Sequence, residues 1–189
     1  VCTGMLACNA ILAALNARHR TGKGQKVEVS LYESSLAMLA NVASNYLIAG
    51  RDGGRFGNGH PSIVPYTTFP TADGMLALAV GNDTQFAKCA AVLGHPEWAA
   101  HPDYANDTLR VHNRETLASH IESVTLTESR AHWLHLFETN DLPCGPINNY
   151  DQVFRDPQVN ARKLVVETAH PALGPLRTLG EFPLLRQLL

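Results

Sequence analysis

The first fifty positions of the chain combine two hydrophobic periods. Small and aliphatic side chains recur at helical spacing over Val1–Arg20 and predict a helix, which the glycines of Thr21–Gly24 end. Residues 25–30 alternate between apolar and charged side chains and predict a strand. A broad apolar face then predicts a second helix from Ser30 to Ile48. A helix, a strand and a helix in this order are typical of an α/β fold.

A different pattern follows the glycine-rich linker Gly50–Gly54, where we place a domain boundary. Strand-forming residues on both sides of the turn signal Asp73-Gly74 predict a hairpin of Ile63–Phe69 and Met75–Val80. The remaining residues predict a smaller α+β domain. Its further predicted elements are a helix capped by Asp83 and ended by Gly94, a helix from Asn106 or Asp107 through Val124, a helix begun by a capping box at Thr125–Glu128, a rigid turn at Asp141–Pro146, a short helix from Asp156-Pro157, and strands at Leu164–Ala169 and Leu176–Leu179.

Composition narrows the class of partner. The 189 residues are 45% hydrophobic and 17% charged, an ordinary balance for a globular chain. The formal net charge of −2, without a long basic run, gives no electrostatic footprint for nucleic acid or an anionic membrane. The second predicted helix carries Glu33, Asn41 and Asn45 and is too polar to cross a bilayer. We therefore expect neither a nucleic-acid partner nor a membrane partner.

The cysteines indicate the cellular compartment of the protein, and the two ends of the sequence indicate whether it is a piece of a longer chain. None of the four cysteines forms a Cys-x-x-Cys pair, which favours a reducing compartment such as the cytoplasm. Residues 1–15 lack the basic segment of a signal peptide. The helical pattern is already present at Val1, and Phe182–Leu189 is apolar without a polar tail, so we expect both ends to be cut from a longer chain.

The stretch from Arg55 to Gly74 is the main candidate for a site. Gly57 and Gly59 flank Asn58, so the backbone there can adopt positive φ and approach a ligand closely. His60 follows and is biased toward an extended conformation by the next residue, a proline. Taken alone, this pattern favours a surface loop before a hairpin over a binding site, because short glycine loops are common.

Other chemistry-bearing residues are weaker candidates. His132 and His135 are three apart on a predicted helix, but no convincing third metal ligand accompanies them, and we expect no metal. Cys144 stands between Pro143 and Gly145 without a charged neighbour, which favours a packed turn residue over a nucleophile.

A series of motifs in chain order carries a family resemblance. They are Thr3-Gly4-Met5, Ala13-Ala14-Leu15, Arg18, Thr21 to Leu31, Gly57 to Pro61, Pro65-Tyr66, Asp73-Gly74, Pro143 to Pro146 and Asp156 to Val159. Together they resemble the family III CoA-transferases, which include formyl-CoA transferase and carnitine CoA-transferase, with α-methylacyl-CoA racemase as a relative. Leu109–Arg114 and Gly145–Asn149 are most similar to the succinyl-CoA:dicarboxylate branch, such as glutarate CoA-transferase.

The resemblance implies a domain organisation. Residues 1–50 would be the C-terminal part of a Rossmann-like large CoA-binding domain. Residues 51–160 would be a small α+β domain with a glycine lid loop. Residues 161–189 would return toward the large domain. The resemblance also implies an intertwined homodimer. We expect the protein in the cytoplasm or, in a eukaryote, in the mitochondrial matrix.

The resemblance also implies a reaction. Coenzyme A is a cosubstrate, and an aspartate takes up the acyl group and then CoA as an aspartyl-CoA thioester. The acceptor is a carboxylic or dicarboxylic acid. By the family motif this aspartate immediately precedes Val1, so no catalytic residue is expected in this chain, and the fragment alone is expected to be inactive. The substrate and lid positions implied here are Gly57, Asn58, Gly59, His60 and Leu31.

Two alternatives accompany the transferase. A racemase-like enzyme of the same family would need a glutamate near Asn82–Gln85, and these four residues contain none. A non-catalytic folding or interaction module is the third possibility.

Overall fold

The computed structural model describes residues 1–180, and the apolar segment Phe182–Leu189 lies outside the described residues. The chain divides into two compact units, residues 1–55 and 56–189. Helices and strands occur together, which confirms the predicted α/β class. The assignment of 1–50, 51–160 and 161–189 to family domains stays a prediction.

The first unit consists of three helices: α1 (Cys2–Thr21), α2 (Leu31–Ala37) and α3 (Ala40–Ala49). Gly22 ends α1 in the left-handed conformation, as the glycine signal predicts. Ser34 is the only buried residue in this unit. Its apolar side chains therefore lie on the surface of the unit and form no core of their own.

Two predictions for this unit are wrong. Residues 25–30 pair with no strand among residues 1–180, because alternation alone supplies no hydrogen-bonding neighbour. The helix predicted over Ser30–Ile48 is two helices, and the break falls before Ala40, whose φ is 45°.

The second unit contains a three-stranded antiparallel sheet of order β1-β2-β3 and a separate hairpin of β4 and β5. Phe69 of β1 faces Leu76 of β2 across the sheet, and both are buried. Helix α6 packs on β1, and α7 packs on β2 and β3. The strands are β1 (Tyr66–Thr71), β2 (Gly74–Ala79), β3 (Cys144–Pro146), β4 (Val165–His170) and β5 (Gly174–Leu179). The helices are α4 (Asp83–Val92), α5 (Asp107–His112), α6 (Arg114–Thr125), α7 (Arg130–Thr139), α8 (Tyr150–Arg155) and α9 (Pro157–Ala161), with a 3-10 turn at Pro96–Ala100.

Several details of this unit differ from the sequence pattern. The helix predicted through Val124 breaks at Asn113, whose side-chain amide donates to the carbonyl of Leu109 and competes with the helical bonds. The capping box at 125–128 does not begin α7, because the side chain of Ser129 accepts the cap bond. Asn82, not Asp83, caps α4. The rigid turn predicted at 141–146 ends in strand β3, which pairs with β2.

Candidate functional site

The glycine loop lies directly before β1 and contains a tight turn. The N–H of Gly59 donates to the carbonyl of Phe56 at 2.8 Å, and Gly57 has a φ of 58°. A side chain at Gly57 would therefore be strained by the backbone conformation. At Gly59, a Cβ would come within 3.1 Å of the Phe56 carbonyl oxygen. The local geometry thus favours glycine at both positions.

The turn leaves two backbone donors for a ligand. Within residues 1–180, the N–H groups of Gly57 and Asn58 donate to no protein acceptor, whereas that of Gly59 closes the turn. The Asn58 side chain reaches Thr68 of β1 at 3.4 Å and lays the loop against the strand. Both free donors are on exposed residues. Adjacent backbone N–H groups of this kind bind developing negative charge on a carbonyl or carboxylate oxygen.

His60 is held by three contacts. Its N–H donates to the Tyr66 carbonyl at 2.9 Å, and its ring stacks on the Tyr66 ring with centroids 5.3 Å apart. Its Nδ1 accepts the N–H of Ser62 at 3.2 Å. Because Nδ1 is an acceptor in this arrangement, the imidazole proton is assigned to Nε2. The half-buried ring therefore offers one N–H donor.

Arg114 contacts both ends of the loop. Its Nη1 donates to the His60 carbonyl at 3.2 Å and its Nη2 to the Pro61 carbonyl at 2.7 Å. Its guanidinium carbon lies 4.9 Å from the centre of the Phe56 ring. Its Nε donates to the carbonyl of Val111 at 3.3 Å. The sequence singled out Leu109–Arg114 only as a family motif and missed this role.

Arg110 fixes the segment between the loop and β1. It is fully buried and donates to the carbonyls of Val64 at 2.8 Å and Tyr104 at 3.0 Å. Its Nη2 also donates to Asp83 at 2.7 Å. The carboxylate of Asp107 accepts the N–H of Val64 at 3.2 Å. Helix α5 is thereby joined to the residues that enter β1.

Leu31 and the weaker candidates lie elsewhere. Leu31 is the first residue of α2 in the first unit, and 76% of its surface is exposed, so it belongs to no core within that unit. Residues 1–180 contain no group of three or more potential metal ligands, His132 and His135 included. Burial raises the pKa of the Cys144 thiol, which disfavours a nucleophilic thiolate.

Among the described residues, no helix combines the length and apolar character needed to cross a membrane.

Comparison with known proteins gives the family. Over 178 residues, 94% of this chain, it is 40% identical to the human succinyl-CoA:glutarate CoA-transferase and covers 41% of that protein. It is 44% identical over 165 residues to the succinate–glutarate CoA-transferase of Agrobacterium fabrum, which is 87% of this chain and 41% of that protein. The crystal structure of a CAIB/BAIF family protein from Brucella suis is 38% identical with a TM-score of 0.75, over 97% of this chain and 48% of that one. The chain thus spans about two fifths of the length of these curated relatives. The model of CoA-transferase family III matches residues 1–187, and the chain belongs to that family.

Proposed function

We propose that the protein containing this chain transfers CoA from an acyl-CoA donor, such as succinyl-CoA, to a carboxylic or dicarboxylic acid. The observation that carries the proposal is the family match over residues 1–187, together with the identity to two glutarate CoA-transferases. Both substrates of the reaction are acyl compounds whose carbonyl oxygens gain negative charge during transfer. Hydrogen-bond donors that stabilise such oxygens would therefore favour the transfer.

The glycine loop supplies such donors. The free N–H groups of Gly57 and Asn58 are adjacent and exposed, and the positive φ of Gly57 holds the turn that presents them. We assign them to the oxyanion or the acceptor carboxylate. Gly59 acts indirectly, because its N–H closes the turn. His60 offers its Nε2–H to the distal carboxylate of a dicarboxylate.

The nucleophile is assigned to an aspartate immediately preceding Val1, by resemblance to the family motif. Its carboxylate attacks the carbonyl carbon of the donor thioester. The C–S bond breaks, CoA departs as the thiolate, and a mixed anhydride of the aspartate and the donor acid remains. The thiolate then attacks the aspartyl carbonyl and releases the donor acid as a carboxylate. Reversal of the two steps with the acceptor acid yields its CoA thioester and restores the aspartate. Covalent catalysis divides one difficult exchange into easier steps. Leu31 is assigned to the substrate pocket by the same resemblance.

A racemase is less well supported by the chain. In the region where the racemase glutamate is expected, the only carboxylate is Asp83, and its Oδ1 accepts the buried Arg110 at 2.7 Å. This oxygen is engaged by the guanidinium and is not free to approach a substrate carbon. Asn82 caps α4, and Gln85 completes that cap through its N–H. None of these residues offers a free carboxylate.

The surface of the first unit supports the proposed intertwined homodimer. This unit buries no apolar side chain of its own. Its exposed large apolar residues include Met5, Ile11, Leu12, Leu31, Tyr32, Leu36, Met38, Tyr46, Leu47 and Ile48. Because exposed apolar patches commonly mark interfaces, we assign this surface to contacts with the rest of the large domain and with a second copy. The four cysteines are free, which suits the proposed cytoplasmic or matrix location.

The test uses the full-length protein with succinyl-CoA and a panel of dicarboxylates and monocarboxylates. We expect formation of the acceptor's CoA thioester, without deuterium uptake at its α-carbon from heavy water. The mass of the protein incubated with donor alone should increase by the covalently held CoA. Deuterium uptake without transfer would favour the racemase. The absence of both transfer and deuterium uptake would favour a non-catalytic module.

A further inference from the structure

The contacts of Arg114 with the glycine loop indicate a function for this arginine. We propose that Arg114 is a positioning residue, which holds His60 so that its Nε2–H meets the acceptor carboxylate. This inference rests on the proposed CoA transfer. It adds a residue of α6 to the part of the site that the loop and β1 supply.

The partners of Arg114 are the first argument. All three of its bonded nitrogens donate to backbone carbonyls, those of Val111, His60 and Pro61. Within residues 1–180 no carboxylate lies within 4.0 Å of the guanidinium, so the arginine is not held by an ion pair. A planar guanidinium whose two terminal nitrogens bond successive carbonyls fixes the orientation of both peptide groups.

The position of these contacts is the second argument. Phe56 begins the turn and lies against the guanidinium, while His60 and Pro61 follow the turn and bond to it. Arg114 therefore joins the two ends of the segment that carries the free N–H groups of Gly57 and Asn58. The hydrogen bond from the His60 N–H to Tyr66 alone would leave the carbonyl side of His60 free to rotate.

The contacts with His60 are the third argument. The ring stack on Tyr66 and the Ser62 bond to Nδ1 set the direction of Nε2 relative to the His60 backbone. The Arg114 bond to the His60 carbonyl sets that backbone relative to α6. The direction of the donor in the site thus depends on Arg114, although the hydrogen bonds of Arg114 itself go to backbone carbonyls.

The experiment compares Arg114→Met and Arg114→Lys with Arg130→Met in the full-length protein. Arg130 is the matched control, because its Nη1 also donates to a backbone carbonyl, that of Ile147 at 2.7 Å. Two quantities are measured: hydrogen exchange of peptides covering residues 56–62, and KM separately for the acid acceptor and the acyl-CoA donor. Denaturant midpoints are recorded for every variant.

Loss of a hydrogen bond from a charged donor changes an equilibrium constant by roughly tenfold or more. We expect Arg114→Met to speed exchange of the hydrogen-bonded amides of Gly59, His60 and Ser62. The same variant should raise KM for the acceptor by about tenfold, with KM for the donor unchanged. Arg114→Lys should recover part of the loss, because one ammonium can reach only some of the carbonyls. Arg130→Met should change neither loop exchange nor KM. If the denaturant midpoints of Arg130→Met and Arg114→Met are equal, the loss of stability does not account for the effect of Arg114→Met on the loop.

Unchanged exchange of the loop in both Arg114 variants would overturn the proposal, whatever the activity. Faster exchange with an unaltered acceptor KM in an active enzyme would also overturn it, while leaving the proposed transferase intact. Absence of CoA transfer by the wild-type protein would overturn the proposed function, and the positioning role with it.

Discussion

Replacement of Arg110 by methionine tests how the segment before β1 is held. The side chain is fully buried, packs 4.4 Å from the centre of the Phe86 ring, and bonds the carbonyls of Val64 and Tyr104 and the carboxylate of Asp83. Methionine keeps most of the apolar contact and removes every donor. The two carbonyls then lose their guanidinium partner, and Asp83 loses its counter-ion.

The magnitude follows from what each partner loses. A buried acceptor left without a donor costs about 1–3 kcal/mol. Breaking a buried ion pair costs about 3–5 kcal/mol when the remaining charge is also buried. The side chain of Asp83 is 58% exposed, so water compensates its carboxylate and this contribution is reduced. We therefore expect the free energy of unfolding to fall by about 3–5 kcal/mol, mainly from the two carbonyls.

Equilibrium denaturation measures this change, with the fluorescence of the buried Trp98 and Trp133 reporting on the second unit. The matched control is Arg155→Met, because Arg155 also pairs with an aspartate, Asp151 at 2.9 Å, but is 79% exposed. Exposed pairs of this spacing contribute only about 0.3–0.5 kcal/mol. If Arg110→Met destabilises the protein no more than the control does, the reasoning on buried carbonyls is refuted.

Three further predictions concern the loop, the hairpin turn and the core. Gly57→Ala should cost about 1 kcal/mol of stability and slow CoA transfer, because φ is 58° at this position. The control Gly145→Ala, where φ is ordinary and the space is open, should change neither stability nor transfer. Denaturation and activity assays measure both quantities, and equal behaviour of the two variants would contradict the prediction. The hydrogen bond from the Arg130 N–H to the Asp73 carboxylate lowers the pKa of Asp73. The contribution of Asp73 to stability is therefore present above its unfolded-state pKa and is lost as pH falls through its folded-state pKa. Asp73→Asn should therefore flatten the acid side of the stability–pH curve, and an unchanged curve would refute this. Burial raises the pKa of Cys89 to about 12, so its thiol should resist alkylation at pH 8 until the protein unfolds, as peptide mass mapping would show; rapid labelling of the folded protein would contradict it.

Local signals in the sequence predicted the elements that depend on neighbouring residues. The hairpin around Asp73-Gly74 and the late strands are present because turn residues and alternation act within a few positions. The glycine stop of α1 at Gly22 is also observed. The same local reading failed for residues 25–30, since a strand requires a neighbour that the pattern does not identify.

The sequence by itself determined the family, through ordered motifs, and the position of the glycine loop before a hairpin. Only the tertiary structure decided what holds that loop. Arg110 bonds a carbonyl 46 residues away, and Arg114 bonds one 54 residues away. Every residue carries a backbone carbonyl, so an arginine that binds one leaves no recognisable partner in the sequence. The motif Leu109–Arg114 could be recognised in the sequence, but the contacts that its two arginines make form only when the chain has folded.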